Sequence, residues 1–136
     1  MDGHVIGDAP TNVWLGLLGR ESLHALDRHY YDRQTRYRDE TYNRSGLSRW
    51  ERAAIETHFD NCRRLLIAGA GGGREVLALS KLGYDADGFD CHAEFAASAN
   101  ALLEKDGVRG TVAVVERDSC IDAPAEYDGL IVGWGA

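Results

Sequence analysis

A glycine-rich turn directly after a short apolar segment constrains this chain more than any other feature of its sequence. Residues 65–75 read Leu-Leu-Ile-Ala-Gly-Ala-Gly-Gly-Gly-Arg-Glu, so four glycines occur within five positions. This order predicts a buried parallel strand, a tight turn and a helix start, because glycine allows backbone conformations and close approaches that a Cβ atom blocks. The helix start offers free N–H groups and the positive end of the helix dipole. The sequence therefore predicts a turn where a ligand contacts the main chain; a tight turn without a ligand is the alternative.

The glycine spacing indicates which ligand this turn binds. Gly69, Gly71 and Gly73 fit the pattern G-x-G-x-G, whereas the dinucleotide fingerprint G-x-G-x-x-G requires a glycine where this chain has Arg74. The Gly-Lys-Ser/Thr ending of a phosphate-binding Walker loop is absent. With its apolar strand and G-x-G-x-G turn, the chain resembles the class I S-adenosylmethionine (SAM)-dependent methyltransferases. The resemblance implies SAM as the cofactor, and an NAD(P)-dependent oxidoreductase is the weaker alternative.

Composition narrows the class of protein. The 136 residues suffice for one domain with a core, and a net charge of −7 disfavours a general nucleic-acid binder or a membrane-surface protein. The three cysteines lack C-x-x-C spacing and no H-E-x-x-H pattern occurs, so neither a disulfide framework nor a metal site is indicated. No apolar run approaches the ~20 residues of a membrane span, and the first residues do not form a secretory signal. We therefore expect a cytoplasmic protein.

Hydrophobic periodicity predicts the order of the elements. Residues 30–46 are rich in tyrosine and in charges of both signs, which favours a solvated helix or an ordered loop. Ser48 and Glu51 fit a capping box that opens a helix. The predicted helices cover residues 11–31, 48–59, 73–82 and 92–105, the predicted strands cover 64–68, 84–90, 111–116 and 127–133, and a loop covers 117–126.

This order of elements predicts an α/β fold. Strands that alternate with helices form a Rossmann-like open parallel sheet, and we expect the strand order 3-2-1-4 with the ligand site where the order reverses. Residues 1–60 are predicted to form an N-terminal helical extension or lid, and residues 61–136 a SAM-binding half-domain. The resemblance implies seven strands, so we expect an incomplete sheet in a fragment, a homo-oligomer or a chain completed by a partner.

Asp90 closes the second predicted strand, where a carboxylate can accept two hydrogen bonds from a ribose diol. Nucleoside cofactors of both the NAD and the SAM kind use this position. Capping of the next helix by Asp90 is the alternative. Asp90 therefore supports a nucleoside ligand without choosing between the two cofactors.

Further site residues follow from the resemblance alone. It implies that Asp118 accepts a hydrogen bond from the adenine amino group and that the backbone N–H of Ser119 binds a ring nitrogen; a plain turn is the alternative. It also implies that Gly133 and Trp134 face the methionine part of SAM, whereas core packing or a frayed end is the alternative for Trp134. The residues expected to bind the cofactor are Gly69, Ala70, Gly71, Gly73, Glu75, Asp90, Cys91, Asp118, Ser119, Gly133 and Trp134.

One position departs from the family pattern. Many members have an acidic residue two positions before the first glycine, where this chain has Ile67. Glu75 is the candidate that compensates electrostatically for this missing acid, and Arg74 either pairs with the SAM carboxylate or lies in solvent. The resemblance also implies an N-terminal segment that closes over SAM, with Tyr30, Tyr31 or Tyr37 facing the sulfonium, although core packing explains tyrosines equally.

These features predict a SAM-dependent methyltransferase. The Asn/Asp-Pro-Pro-Tyr/Phe signature of amino-directed DNA methyltransferases is absent, so the expected methyl acceptor is a small molecule or a protein rather than DNA. A truncated or split module that binds SAM or another nucleoside without turnover is the first alternative, and the oxidoreductase is the second. No residue stands out as a general base.

Overall fold

The computed structural model describes residues 17–119 and 126–133. The chain divides into two compact units, Met1–Gln34 and Thr35–Ala136. The first unit contains helix α1 (Arg20–Asp32), none of whose residues is buried. The second contains the sheet and also residues 35–60, which the sequence analysis assigned to the extension. The first part of the helix predicted over residues 11–31 lies outside the described residues.

The second unit opens with short helical turns. A 3₁₀ helix (Arg36–Arg38) is followed by helix α2 (Glu40–Asn43), whose N-cap Asp39 accepts a hydrogen bond from Thr41 N at 2.8 Å. The segment predicted as a solvated helix or an ordered loop contains these short helices, and within it Asn43 is only 2% exposed. Local charge alternation predicts solvation, but Asn43 is buried beside Gly72, which is far along the chain.

Helix α3 (Arg49–His58) begins where the capping box predicts. Ser48 N donates to Glu51 Oε2 at 2.6 Å, and Glu51 N donates to Ser48 Oγ at 3.4 Å. Two free N–H groups of the first turn are thereby satisfied, which fixes the start of the helix. The predicted capping box is confirmed.

Four parallel strands form one sheet in the order β3-β2-β1-β4. The first strand matches its predicted bounds, and β3 and β4 are shorter than predicted. This sheet confirms the predicted α/β fold class and strand order. The elements are β1 (Arg64–Ala68), helix α4 (Arg74–Lys81), β2 (Asp85–Asp90), helix α5 (Ala93–Lys105), β3 (Val112–Val114) and β4 (Gly129–Val132).

The core lies on one face of the sheet. Leu65 and Ile67 of β1 are fully buried and alternate with partly exposed neighbours, as a strand with one covered face requires. Right-handed crossovers from β1 to β2 and from β2 to β3 place both connecting helices on the same face. Buried residues of these helices complete this core: Val76, Leu77 and Leu79 of α4 and Ala96, Ala99, Leu102 and Leu103 of α5.

The opposite face carries exposed apolar side chains. Leu66 is paired with Leu130, and Ala68 with Val132, so the four side chains share that face. Leu130 is 59% exposed and Val132 66%. No helix among the described residues is long and apolar enough to cross a membrane.

Candidate functional site

The glycine turn between β1 and α4 has a backbone that glycine alone adopts without strain. Gly69, Gly71 and Gly73 have φ angles of 66°, 51° and 85°, all in the left-handed region. A Cβ atom on Gly73 would lie 2.9 Å from Ala99 Cβ, so the third glycine also allows close packing between the turn and α5. Ala70 is 2% exposed, and its carbonyl accepts from Gly73 N at 2.9 Å. The turn leads directly into the first turn of α4.

Asp90 ends β2 beside this turn. Its carboxylate is largely buried, and Oδ2 accepts a hydrogen bond from Gly71 N at 2.8 Å. Oδ1 accepts from His92 N at 2.8 Å. A carboxylate has about four lone-pair positions, so both oxygens retain capacity to accept further hydrogen bonds. The structure thus joins two residues that the sequence analysis selected independently.

Gly133 brings the end of β4 to the same place. Its N–H donates to Ala68 O at 2.7 Å, which continues the pairing of β4 with β1. A Cβ atom on Gly133 would lie only 2.6 Å from Gly69 O. Glycine is therefore required for contact between the two chain segments at the point where the strand order reverses. Trp134 lies outside the described residues.

Asp118 and Ser119 form a turn shortly after β3. Ser119 N donates to Glu116 O at 3.2 Å, and Asp118 has a φ of 61°, a left-handed conformation that aspartate tolerates better than most residues. Val115 N donates to Asp90 O at 3.0 Å, so the chain leaves β3 beside the carboxyl end of β2. Asp118 and Ser119 are exposed, and their contacts with adenine stay a prediction.

Arg74 corrects the sequence analysis, which assigned it to the SAM carboxylate or to solvent. Its side chain is 13% exposed and binds Glu51 through two hydrogen bonds, from Nη1 at 3.0 Å and from Nη2 at 2.6 Å. Nη1 also donates to Gly46 O at 2.8 Å, and Nη2 forms an ion pair with Glu75. Arg74 thus connects the start of α4 to the capping box of α3.

This ion-pair cluster has electrostatic consequences. The hydrogen bonds from Arg74 lower the pKa of Glu51 to about 2, and those with Glu51 raise the pKa of Arg74. Glu75 is already paired with Arg74, and its role toward the ammonium group of a ligand stays a prediction. Ile67 is fully buried in the core, which agrees with an apolar residue there.

Tyr37 and Asn43 are neighbours of the glycine turn. Tyr37 is one of the three tyrosines considered for the sulfonium, whereas the sequence analysis did not select Asn43. Asn43 Nδ2 donates to Tyr37 O at 3.0 Å. A Cβ atom on Gly72 would lie 1.8 Å from Tyr37 O and 2.3 Å from Asn43 Nδ2. The Tyr37 ring packs against Phe95 with centroids 5.4 Å apart, and its Cδ1 lies 3.5 Å from the Cβ position of Gly71. For Asn43, the only sequence signal was the extra glycine at position 72.

The other two tyrosines lie in the first unit. Tyr30 and Tyr31 of α1 contact each other edge to face, with centroids 5.3 Å apart. A role for any of the three tyrosines toward a sulfonium stays a prediction.

Comparison with known proteins gives matches among solved structures. No family model and no curated protein matches the chain. TehB from Haemophilus influenzae is 26% identical with a TM-score of 0.56, over 67% of this chain and 31% of that one. A structure from a study of the conversion of a disulfide bond into a thioacetal group during echinomycin biosynthesis is 23% identical with a TM-score of 0.53, over 60% and 34%.

A third solved structure, the O-MT segment of StiE, is 21% identical with a TM-score of 0.50 and covers 60% of this chain. The chain spans 31% to 34% of the length of these three structures.

Proposed function

We propose that this chain, which has the class I methyltransferase fold, binds S-adenosylmethionine and supports methyl transfer. The observation that carries the proposal is the hydrogen bond from Gly71 N to Asp90 Oδ2 at 2.8 Å. It brings a turn that a ligand can approach closely next to a carboxylate suited to ribose hydroxyls. Both lie at the carboxyl ends of the strands, where open α/β sheets bind ligands.

The proposed cofactor site extends along this edge of the sheet. The adenosyl group contacts the glycine turn, with its ribose hydroxyls at Asp90 and its adenine at Asp118 and Ser119. The methionine part lies toward the end of β4. The complete set of proposed residues is Gly69, Ala70, Gly71, Gly73, Glu75, Asp90, Cys91, Asp118, Ser119, Gly133 and Trp134.

Methyl transfer from SAM requires little acid–base catalysis by the protein. SAM supplies a methyl group bonded to a sulfonium sulfur. When a nucleophile attacks the methyl group in line, the sulfur leaves with the electron pair as a neutral thioether. The chain's own residues hold the adenosyl end in place and exclude water from it. A general base is required only where the acceptor must lose a proton.

The acceptor is proposed from composition. A chain with 22 acidic and 15 basic residues has a net charge of −7, which disfavours binding to the phosphate backbone of a nucleic acid. The Asn/Asp-Pro-Pro-Tyr/Phe signature is also absent. Both observations favour a small molecule or a protein as methyl acceptor over DNA.

A split or non-catalytic SAM-binding module is the second candidate. The exposed apolar side chains of β4 favour it, since Leu130 and Val132 lie on a face that a further layer normally covers. An NAD(P)-dependent oxidoreductase has less support, because Arg74 occupies the place of the sixth fingerprint residue and is held by Glu51.

Isothermal titration calorimetry with SAM, S-adenosylhomocysteine and NAD tests the proposal. We expect binding of the first two, and we expect Asp90→Asn to weaken both at least tenfold. Asp85→Asn, an exposed acid at the other end of β2, is the matched control and leaves affinity unchanged. Circular dichroism verifies that both variants are folded. Binding of NAD alone would overturn the proposal, and SAM binding without transfer to any acceptor would favour the module.

A further inference from the structure

Three side chains of different chemistry converge at the turn that follows β2. One donor atom from each of Asp90, Cys91 and His92 lies within 4.8 Å of the other two. His92 Nδ1 lies 3.3 Å from Asp90 Oδ1 and 3.3 Å from Cys91 Sγ. We propose that this turn, Asp90–His92, binds a thiophilic divalent cation, for which Zn²⁺ is the best match. The proposal goes beyond the methyltransferase function and does not rest on it.

The donor set and its spacing suit zinc. Imidazole nitrogen, thiolate sulfur and carboxylate oxygen are its usual protein ligands, at about 2.0–2.3 Å from the ion. Two such donors on a tetrahedral ion are separated by about 3.3–3.6 Å. Both distances from His92 Nδ1 have this length, and the third pair of donors lies within 4.8 Å. Three protein ligands leave a fourth position for water or another ligand.

The surroundings hold two of the three ligands in place. Gly71 N donates to Asp90 Oδ2, which orients the carboxylate and leaves Oδ1 toward His92. The His92 ring packs against Phe95, with centroids 5.1 Å apart, and Phe95 is 3% exposed. Partners of this kind orient metal ligands and typically change metal affinity about 10–100-fold when removed. The Asp90 and His92 side chains are each only 11% exposed, so both ligands are largely shielded from solvent.

Zinc binding has a defined chemistry here. Cys91 binds as the thiolate, and its proton passes to solvent. The ion takes Asp90 Oδ1, one of the two oxygens proposed to hold the ribose. Zinc and an adenosyl ligand therefore exclude each other at this carboxylate.

The test starts from a Cys62→Ser/Cys120→Ser parent, in which Cys91 is the remaining cysteine. Co²⁺, a spectroscopic substitute for Zn²⁺, gives an intense thiolate-to-metal absorption band only when sulfur is a ligand. We expect this band in the parent and not in the parent with Cys91→Ser. Competition with a chromogenic chelator measures Zn²⁺ affinity, which we expect Cys91→Ser and His92→Gln each to reduce at least tenfold.

His58→Gln, at the end of α3, is the matched histidine control and leaves zinc affinity unchanged. Circular dichroism with EDTA verifies folding, and the Co²⁺ band of the parent decides the question even where a variant does not fold. Absence of the band, or equal zinc affinity of parent and Cys91→Ser, would overturn the proposal. Saturating S-adenosylhomocysteine weakens zinc binding if Asp90 is shared. Zinc titration of the protein without a nucleoside tests the zinc site even if the protein binds no nucleoside.

Discussion

Gly72 lies outside the G-x-G-x-G spacing, yet the structure leaves no room for a side chain there. A Cβ atom would lie 1.8 Å from Tyr37 O, a backbone atom that cannot rotate away. We expect Gly72→Ala to reduce the free energy of unfolding by about 3 kcal/mol or more, as severe overpacking does. Urea unfolding followed by circular dichroism measures the change.

Gly107 is the matched control for Gly72. Its φ is 68° and no atom lies within 4 Å of its Cβ position. Alanine there meets only backbone strain, so Gly107→Ala is expected to cost about 1–2 kcal/mol. Equal losses for the two variants would show that the contact with Tyr37 O does not determine the stability loss of Gly72→Ala.

Glu51 gives stability a specific dependence on pH. Arg74 lowers its pKa from 4.5 to about 2 in the folded chain. A carboxyl whose pKa is depressed by folding stabilises the fold above its unfolded pKa, and this contribution is lost as pH falls toward the folded pKa. We therefore expect wild-type stability to fall from about pH 5 to about pH 2, and Glu51→Gln to fall less over that range.

Urea midpoints at pH 6 and pH 3 measure this difference between wild type and Glu51→Gln. Asp106, whose pKa Arg44 lowers to about 2, titrates in the same range. The stability that Asp106 contributes is lost at low pH in both proteins, so only the difference between their pH profiles reports on Glu51. Parallel pH profiles would contradict the assignment of Glu51 to the Arg74 cluster.

The capping box that starts α3 is connected by hydrogen bonds to the start of α4. Ser48 Oγ accepts from Glu51 N, and Glu51 in turn binds Arg74 at the start of α4. Ser48→Ala removes an N-cap acceptor, so we expect a loss of about 1 kcal/mol in the free energy of unfolding. Hydrogen exchange is expected to rise in the first turn of α3.

Ser80→Ala is the matched control for Ser48→Ala. Ser80 Oγ is buried and has no hydrogen-bond partner among the described residues. Removal of an unsatisfied hydroxyl is neutral or stabilising. A loss of stability in Ser80→Ala as large as in Ser48→Ala would show that the cap itself contributes little.

Prediction from sequence succeeded where the cause is local. The apolar run before Gly69 gives β1, and Ser48 with Glu51 gives the start of α3, since each pattern carries its own reason within a few residues. It failed for Arg74 and Asn43, whose partners Glu51 and Gly72 are far along the chain. Such pairings depend on which elements the fold brings together, and no periodicity in the sequence encodes them.

At the scale of the whole molecule, the two faces of the sheet differ in what covers them. Helices α4 and α5 bury one face through side chains such as Leu77 and Leu103. On the other face, Leu130 and Val132 of the edge strand β4 are more than half exposed. The order of strands was predictable because right-handed crossovers restrict it, but no local pattern in the sequence predicts what covers the second face.

The exposed face of β4 therefore predicts association of this chain with itself. An apolar edge strand offers both unpaired backbone groups and apolar area to a second copy. We expect sedimentation velocity to show concentration-dependent association, and Leu130→Lys/Val132→Lys to shift it toward monomer without loss of helical signal. Trp50→Lys, which changes an apolar side chain 67% exposed on α3, is the control and leaves association unchanged. A wild-type chain that stays monomeric at every concentration would contradict this role for β4, because the same two side chains would then be stable in water without a partner.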